Sequence, residues 1–156
     1  MISNLNIKYR LADENDLSLL LKLMSEFYIV DHLPYDADAI TKGLKKLFSN
    51  SSHGQFWLIY DDIKPIGYII ITFGFSLEFH GVDALVDEFF IREDYRGKGI
   101  GKQTLKFIED KLEKLGIKAF HLEVDRQNLY AQEVYRKFGF VDHDRYLMTK
   151  WIKKIE

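Results

Sequence analysis

The chain has 156 residues with 47% hydrophobic and 29% charged side chains, and its 22 Lys plus Arg against 24 Asp plus Glu leave a formal charge of −2. Such a length and composition predict one folded domain, residues 1–156, and exclude a disordered chain. The near-balanced charge excludes a dedicated binder of nucleic acid or of anionic membranes, so neither is expected as a partner.

Cysteine is absent. Disulfides, thiolate metal clusters and a cysteine nucleophile are therefore ruled out, and a cytoplasmic location is the expectation. The stretch from Met1 to Asp13 lacks the apolar core of a signal peptide. The longest nearly unbroken apolar run, Ile66 to Phe75, spans ten residues, short of the roughly 18 that suggest a membrane helix. It reads as a buried strand.

Ile7 to Leu11 alternates and is β-prone. Asp13 then offers an N-cap to a helix with Leu17, Leu20, Leu21, Met24, Phe27 and Tyr28 on one face. Asp36 caps a second helix, in which Ile40, Leu44, Leu47 and Phe48 share a face. Phe56 to Tyr60 and Ile66 to Phe73, separated by Asp61, Asp62 and Pro65, predict an antiparallel hairpin. Ala84 to Ile91 is the next strand. A glycine cluster follows it, then a helix carrying Leu105, Ile108, Leu112 and Leu115 and stopped by Gly116. Ala119 to Val124 predicts a strand, Leu129 to Phe138 a helix ended by Gly139, and Phe140 to Val141 and Tyr146 to Trp151 closing strands. The order is that of one mixed α/β domain without repeats.

The cluster Arg96, Gly97, Lys98, Gly99, Ile100, Gly101, Lys102 lies between a strand and a helix. Glycines let the backbone turn sharply and approach a ligand, and the free amides at a helix start favour a phosphate group. Arg96, Lys98 and Lys102 add positive charge, so the turn suits a diphosphate. A nucleotide P-loop is excluded because Gln103 follows Lys102 where Ser or Thr is needed, and a dinucleotide fingerprint fails because Thr104 and Lys102 stand where its third glycine belongs. The five histidines, at 32, 53, 80, 121 and 143, include no pair at metal-site helix spacing, so no metal is expected.

Arg96, Gly99 and Gly101, preceded by Asp87 to Ile91 and by Asp94 to Gly97, and followed by Asn128, Ala131, Tyr135, Gly139 and Phe140, resemble the GNAT superfamily of acetyl-CoA-dependent N-acyltransferases. The resemblance implies a mixed, mostly antiparallel central sheet flanked by helices and splayed where acetyl-CoA inserts. It places the diphosphate of this co-substrate on the amides from Gly97 to Lys102, and its pantetheine arm along the edge at Phe89, Phe90 and Ile91, with Asn128 bonding the arm and Ala131 close by. Tyr135 becomes the acid that protonates the departing CoA thiolate. Asp87 matches the acidic position that polyamine acetyltransferases of the family use as base, and a homodimer is a further implication.

An alkyl ammonium must lose a proton before it attacks a thioester. Asp87 is expected to take it, with Glu88 as the other candidate, on opposite faces because side chains alternate along a strand. Glu26, Phe27, Tyr28, Glu78 and Asp87 belong to two acidic, aromatic-rich segments that suit a small cationic amine. The expected activity is direct transfer of acetyl from acetyl-CoA to a polyamine or diamine. Acetylation of a protein, a peptide or another small amine, and binding of acyl-CoA without turnover, remain alternatives.

Overall fold

A computed structural model describes residues 4–153. The chain forms β1 (Ile7–Leu11), α1 (Leu17–Val30), α2 (Ala37–Ser49), β2 (Gly54–Asp61), β3 (Lys64–Ser76), β4 (Gly81–Ile91), α3 (Ile100–Lys114), β5 (Phe120–Leu122) and α4 (Leu129–Phe138). It divides between Glu123 and Val124 into two compact units.

The first unit is built on a sheet of order β1-β2-β3-β4-β5. All neighbours are antiparallel except β4 and β5. The two helices after β1 start where short acidic side chains can satisfy free amides. Asp13 accepts from the Asn15 amide at 2.8 Å while Asp16 reaches back to the Asp13 amide at 3.0 Å, closing a 3-10 turn that feeds α1. Asp36 accepts from the Ala39 amide at 3.0 Å and starts α2.

Leu20, Leu23 and Met24 of α1 and Leu44 of α2 pack with Phe56, Leu58, Tyr68, Ile70 and Phe90 on one face of the sheet. Helix α3 covers the other face, where Ile100 joins Ile59 and Ile66 and the Tyr9 ring stacks on Phe107 at 4.1 Å. Strand β3 is therefore covered on both sides and buried without interruption from Ile66 to Ile71, which explains its continuous apolar run.

Strand β5 is shorter than Ala119 to Val124, because its ladder to β4, the one it makes among the described residues, ends at Val86↔Leu122. In the second unit, Asn128 caps α4 by accepting from the Ala131 amide at 3.1 Å, and Gly139 ends it with φ of 116°. The closing strands expected at Phe140 to Val141 and Tyr146 to Trp151 do not form. Their residues are β-prone, but a strand exists only with a hydrogen-bonding neighbour. Among the described residues none pairs with them.

Candidate active site

The site begins where the sheet opens. Strands β4 and β5 pair only at Ala84↔Phe120, Leu85↔His121 and Val86↔Leu122. On the β3 side, Val86 pairs with Ile71 and Glu88 with Ile70, so Asp87 is an extra residue with no partner. Such a bulge bends and twists its strand. From Asp87 onward β4 has no strand beside it on the β5 side among the described residues.

The open edge carries unpaired backbone groups. The Arg92 amide donates to the Ile66 carbonyl at 2.8 Å. Because bonding residues alternate in an antiparallel pair, Phe90 and Glu88 also bond toward β3, while Phe89 and Ile91 turn their amides and carbonyls toward the gap. Phe90 itself is a buried core ring, so of the three predicted edge residues two present backbone to the opening.

The glycine turn sits at the end of this edge. Gly97 and Gly99 have φ of 71° and 79°, left-handed values that only glycine adopts without strain, and a Cβ on either would meet nothing within 4 Å. The space above the turn is open. The first regular bond of α3 runs from the Gln103 amide to the Gly99 carbonyl at 3.1 Å, which leaves the Ile100, Gly101 and Lys102 amides at the positive end of the helix. The Ile100 side chain is buried and pins the helix start to the sheet. Lys98 and Lys102 are exposed. Arg96 is held rather than mobile: its Nε donates to the Ile91 carbonyl at 2.7 Å and its guanidinium lies 5.9 Å from the Phe90 ring. Free amides, open glycines and an unpaired strand edge fit the diphosphate and amide-bearing arm of a CoA thioester.

The bulge also changes how the two carboxylates are disposed. Val86 and Glu88 pair with adjacent residues of β3, so the two-residue period expected to separate Asp87 from Glu88 is broken. Glu88, expected to turn away from the acceptor segments, shares a face with Ile70 and reaches α1. Tyr28 Oη donates to its Oε1 at 2.6 Å and Tyr68 Oη to its Oε2 at 2.9 Å. Burial raises the Glu88 pKa, the two phenols counteract it, and Asp87 and Asp31 raise it further by repulsion. The same burial, with Glu88 as a charged neighbour, pushes both tyrosines far above their ordinary range. The Asp87 carboxylate makes no hydrogen bond among the described residues. The residue is exposed overall, yet its carboxyl sits against enough protein to be desolvated, which raises its pKa.

The remaining acceptor candidates separate. Glu26 is paired with Arg92, whose Nε and Nη2 reach its two oxygens at 2.8 and 2.7 Å while Nη1 donates to the Pro65 carbonyl at 2.8 Å. Its charge is already compensated, and Arg92 holds its carboxyl below the ordinary range. Phe27 is a packing residue, edge-on to Tyr68 at 6.2 Å. Glu78 stands exposed in the turn beyond the Ser76↔Gly81 pair. At roughly 3.3 Å per residue that is some 20 Å along the strand from Glu88. Asp31, just past α1, acts on Glu88 instead. Two participants, Tyr68 and Arg92, were not anticipated. A phenol inside the apolar run of β3 was the available signal for Tyr68, since a buried hydroxyl needs a partner.

In the second unit, Asn128 Oδ1 is engaged in its own helix cap, Ala131 lies within the first turn, and the Tyr135 ring is edge-on to Phe140 at 6.0 Å. Burial raises the Tyr135 phenol, which keeps it protonated at neutral pH. Among the described residues no group of three or more His, Asp or Glu side chains is placed to hold a metal ion. Among the described residues no helix is long and apolar enough to cross a membrane.

Residues 17–140 match the acetyltransferase (GNAT) family. The chain belongs to that family. It is 32% identical over 126 residues to the uncharacterized N-acetyltransferase YycN of Bacillus subtilis (strain 168), a match covering 76% of this chain and 78% of that one. It is 41% identical over 56 residues to the spermine/spermidine N(1)-acetyltransferase of the same organism, a match covering 35% of this chain and only 37% of the relative. Among solved structures, the integron cassette protein HFX_CASS3 from the mobile metagenome of Cole Harbour Salt Marsh is 33% identical, with a TM-score of 0.82 over 94% of this GNAT chain and 91% of that protein.

Proposed function

We propose that this GNAT protein transfers an acetyl group from acetyl-CoA to a primary amine of a small cationic acceptor, a polyamine or diamine. The observation that carries the acceptor class is the adjacent pair Asp87 and Glu88 at the bulge where the sheet opens, one carboxylate free and the other fixed by two phenols. Two neighbouring anions, with Asp31 adding to their field, attract a cation and repel acidic acceptors. The partial likeness to a spermine/spermidine acetyltransferase points the same way.

The free carboxylate suits proton transfer better than the tethered one. Asp87, unbonded and with its pKa raised, takes the ammonium proton, whereas Glu88 already accepts two hydrogen bonds and serves as counter-charge. The amine nitrogen then bonds to the thioester carbon and gives its second proton to water, and as the tetrahedral adduct collapses to the amide the carbon–sulfur bond breaks. Tyr135, assigned on the resemblance of Asn128 to Phe140, gives its proton to the departing sulfur and regains one from solvent. The Gly97 to Lys102 turn and the Phe89 and Ile91 backbone hold the co-substrate. With no cysteine in the chain, transfer is direct rather than through an acyl-cysteine.

The test is release of free CoA thiol from acetyl-CoA across a panel of amines. Turnover with spermidine or diaminoalkanes, at lower KM than with monoamines, is the expected result. Binding of acetyl-CoA without turnover of any amine, or turnover confined to neutral or acidic amines, overturns it.

A further inference from the structure

Glu88 is reached from two different elements. Tyr68 stands on β3 and is wholly buried, and Tyr28 stands near the end of α1 and is half-buried. The two phenols take different oxygens of one carboxylate, at 2.9 and 2.6 Å. A carboxylate with one donor still rotates about its last bond; one with a donor on each oxygen is fixed in plane and in position. We propose that Tyr28 and Tyr68 are positioning residues that hold Glu88 as an oriented anion, so that it binds the ammonium of the acceptor rather than carrying a proton. The inference rests on the acceptor class proposed above.

Three features support it. Tyr68 packs its ring against Phe27, Phe56 and Phe90, with centroids at 6.2, 5.0 and 5.9 Å, and its hydroxyl bonds Glu88. Neither phenol is a proton source at neutral pH, since both are pushed far upward. The Tyr28 ring in turn meets Tyr35 edge-on at 5.8 Å, and Tyr35 Oη donates to the Leu21 carbonyl at 3.1 Å. The carboxylate is thereby tied to the segment joining α1 to α2. The charged or titratable groups that act on Glu88 are Tyr28 from α1, Tyr68 from β3, Asp87 beside it and Asp31 beyond α1. None of them is cationic, so among the described residues the anion has no counter-ion acting on it until an ammonium arrives.

The experiment uses Tyr68→Phe and Tyr28→Phe in the full chain, with spermidine and butylamine as acceptors. Each variant should raise the spermidine KM by about 10-fold, the scale of one hydrogen bond to a charged group, with kcat within about 2-fold and an unshifted pH profile of kcat. The butylamine KM should change less. A fall in kcat with a displaced acid limb would make Glu88 a proton carrier and overturn the proposal. A second readout needs no acceptor: in a carboxyl-carbon NMR titration, losing either phenol should raise the Glu88 pKa, because each now favours the anion. An unmoved Glu88 pKa in both variants would reduce the tyrosines to packing. If the wild type turns over no amine while the NMR shift appears, the acceptor assignment fails and the positioning of the carboxylate stands.

Discussion

Arg96 Nε donates to the Ile91 carbonyl at 2.7 Å, from five residues further along the chain. The bond occupies the gap-facing carbonyl at the end of β4 and ties it to the turn that begins α3, leaving the Ile91 amide and the Phe89 backbone on the open edge. Arg96→Ala removes both this tie and a positive charge beside the turn. Acetyl-CoA affinity, measured by calorimetry, should fall by about 10-fold or more. Arg96→Lys should recover little, because an ammonium at the end of a flexible stem does not reproduce the Nε geometry.

Gly99→Ala separates backbone strain from space. Nothing lies within 4 Å of the added methyl, but φ of 79° is retained. The fold should lose roughly 1–2 kcal/mol in denaturant unfolding. Acetyl-CoA binding should weaken by more than this strain accounts for if the methyl occupies the ground of the diphosphate. Equal affinity in the folded variant would move the diphosphate away from Gly99.

Asp87 has a raised pKa from desolvation. The stability it contributes is present below its unfolded pKa and is lost as pH rises through the higher folded one. Asp87→Asn should therefore melt higher than wild type at neutral pH, the difference vanishing in acid. In the same variant kcat should drop by roughly 10² to 10⁴ and the acid limb of its pH profile should disappear. A destabilised variant with full turnover would return Asp87 to an ordinary surface acid.

Glu26 behaves in the opposite sense. Its carboxyl is held down chiefly by the Arg92 hydrogen bonds, so its contribution is present above the unfolded pKa and fades as pH falls through the folded one. Glu26→Gln should cost about 1 kcal/mol near neutral pH and less in acid. The acceptor KM should change by less than about 2-fold, since the charge is compensated before any acceptor binds. A large KM effect would restore Glu26 to the acceptor site.

Tyr135→Phe keeps the ring against Phe140 and deletes the hydroxyl. Turnover should fall by roughly 10² to 10⁴ with acetyl-CoA affinity nearly unchanged. Turnover close to wild type would assign the tyrosine to packing.

The helices, their caps and the glycine turn were legible in the sequence because their causes lie within a few residues. Asp36 bonds an amide three positions on, Asn128 does the same, and Gly99 and Gly139 adopt backbone angles that other residues resist. The paired motifs around Arg96 and Tyr135 carried the family for the same reason, being local patterns of residue type. Only the tertiary structure decided what depends on partners far along the chain. The bulge that frees Asp87 arises from the register of β4 on β3, and no count of positions along β4 alone reveals it. Glu88 meets Tyr28 and Tyr68 across 60 and 20 residues, and Glu26 meets Arg92 across 66. The segments at 140–141 and 146–151 have the residues of strands, but among the described residues no strand pairs with them. Ladders and ion pairs belong to two segments at once, so each half of the sequence carries only the capacity for them.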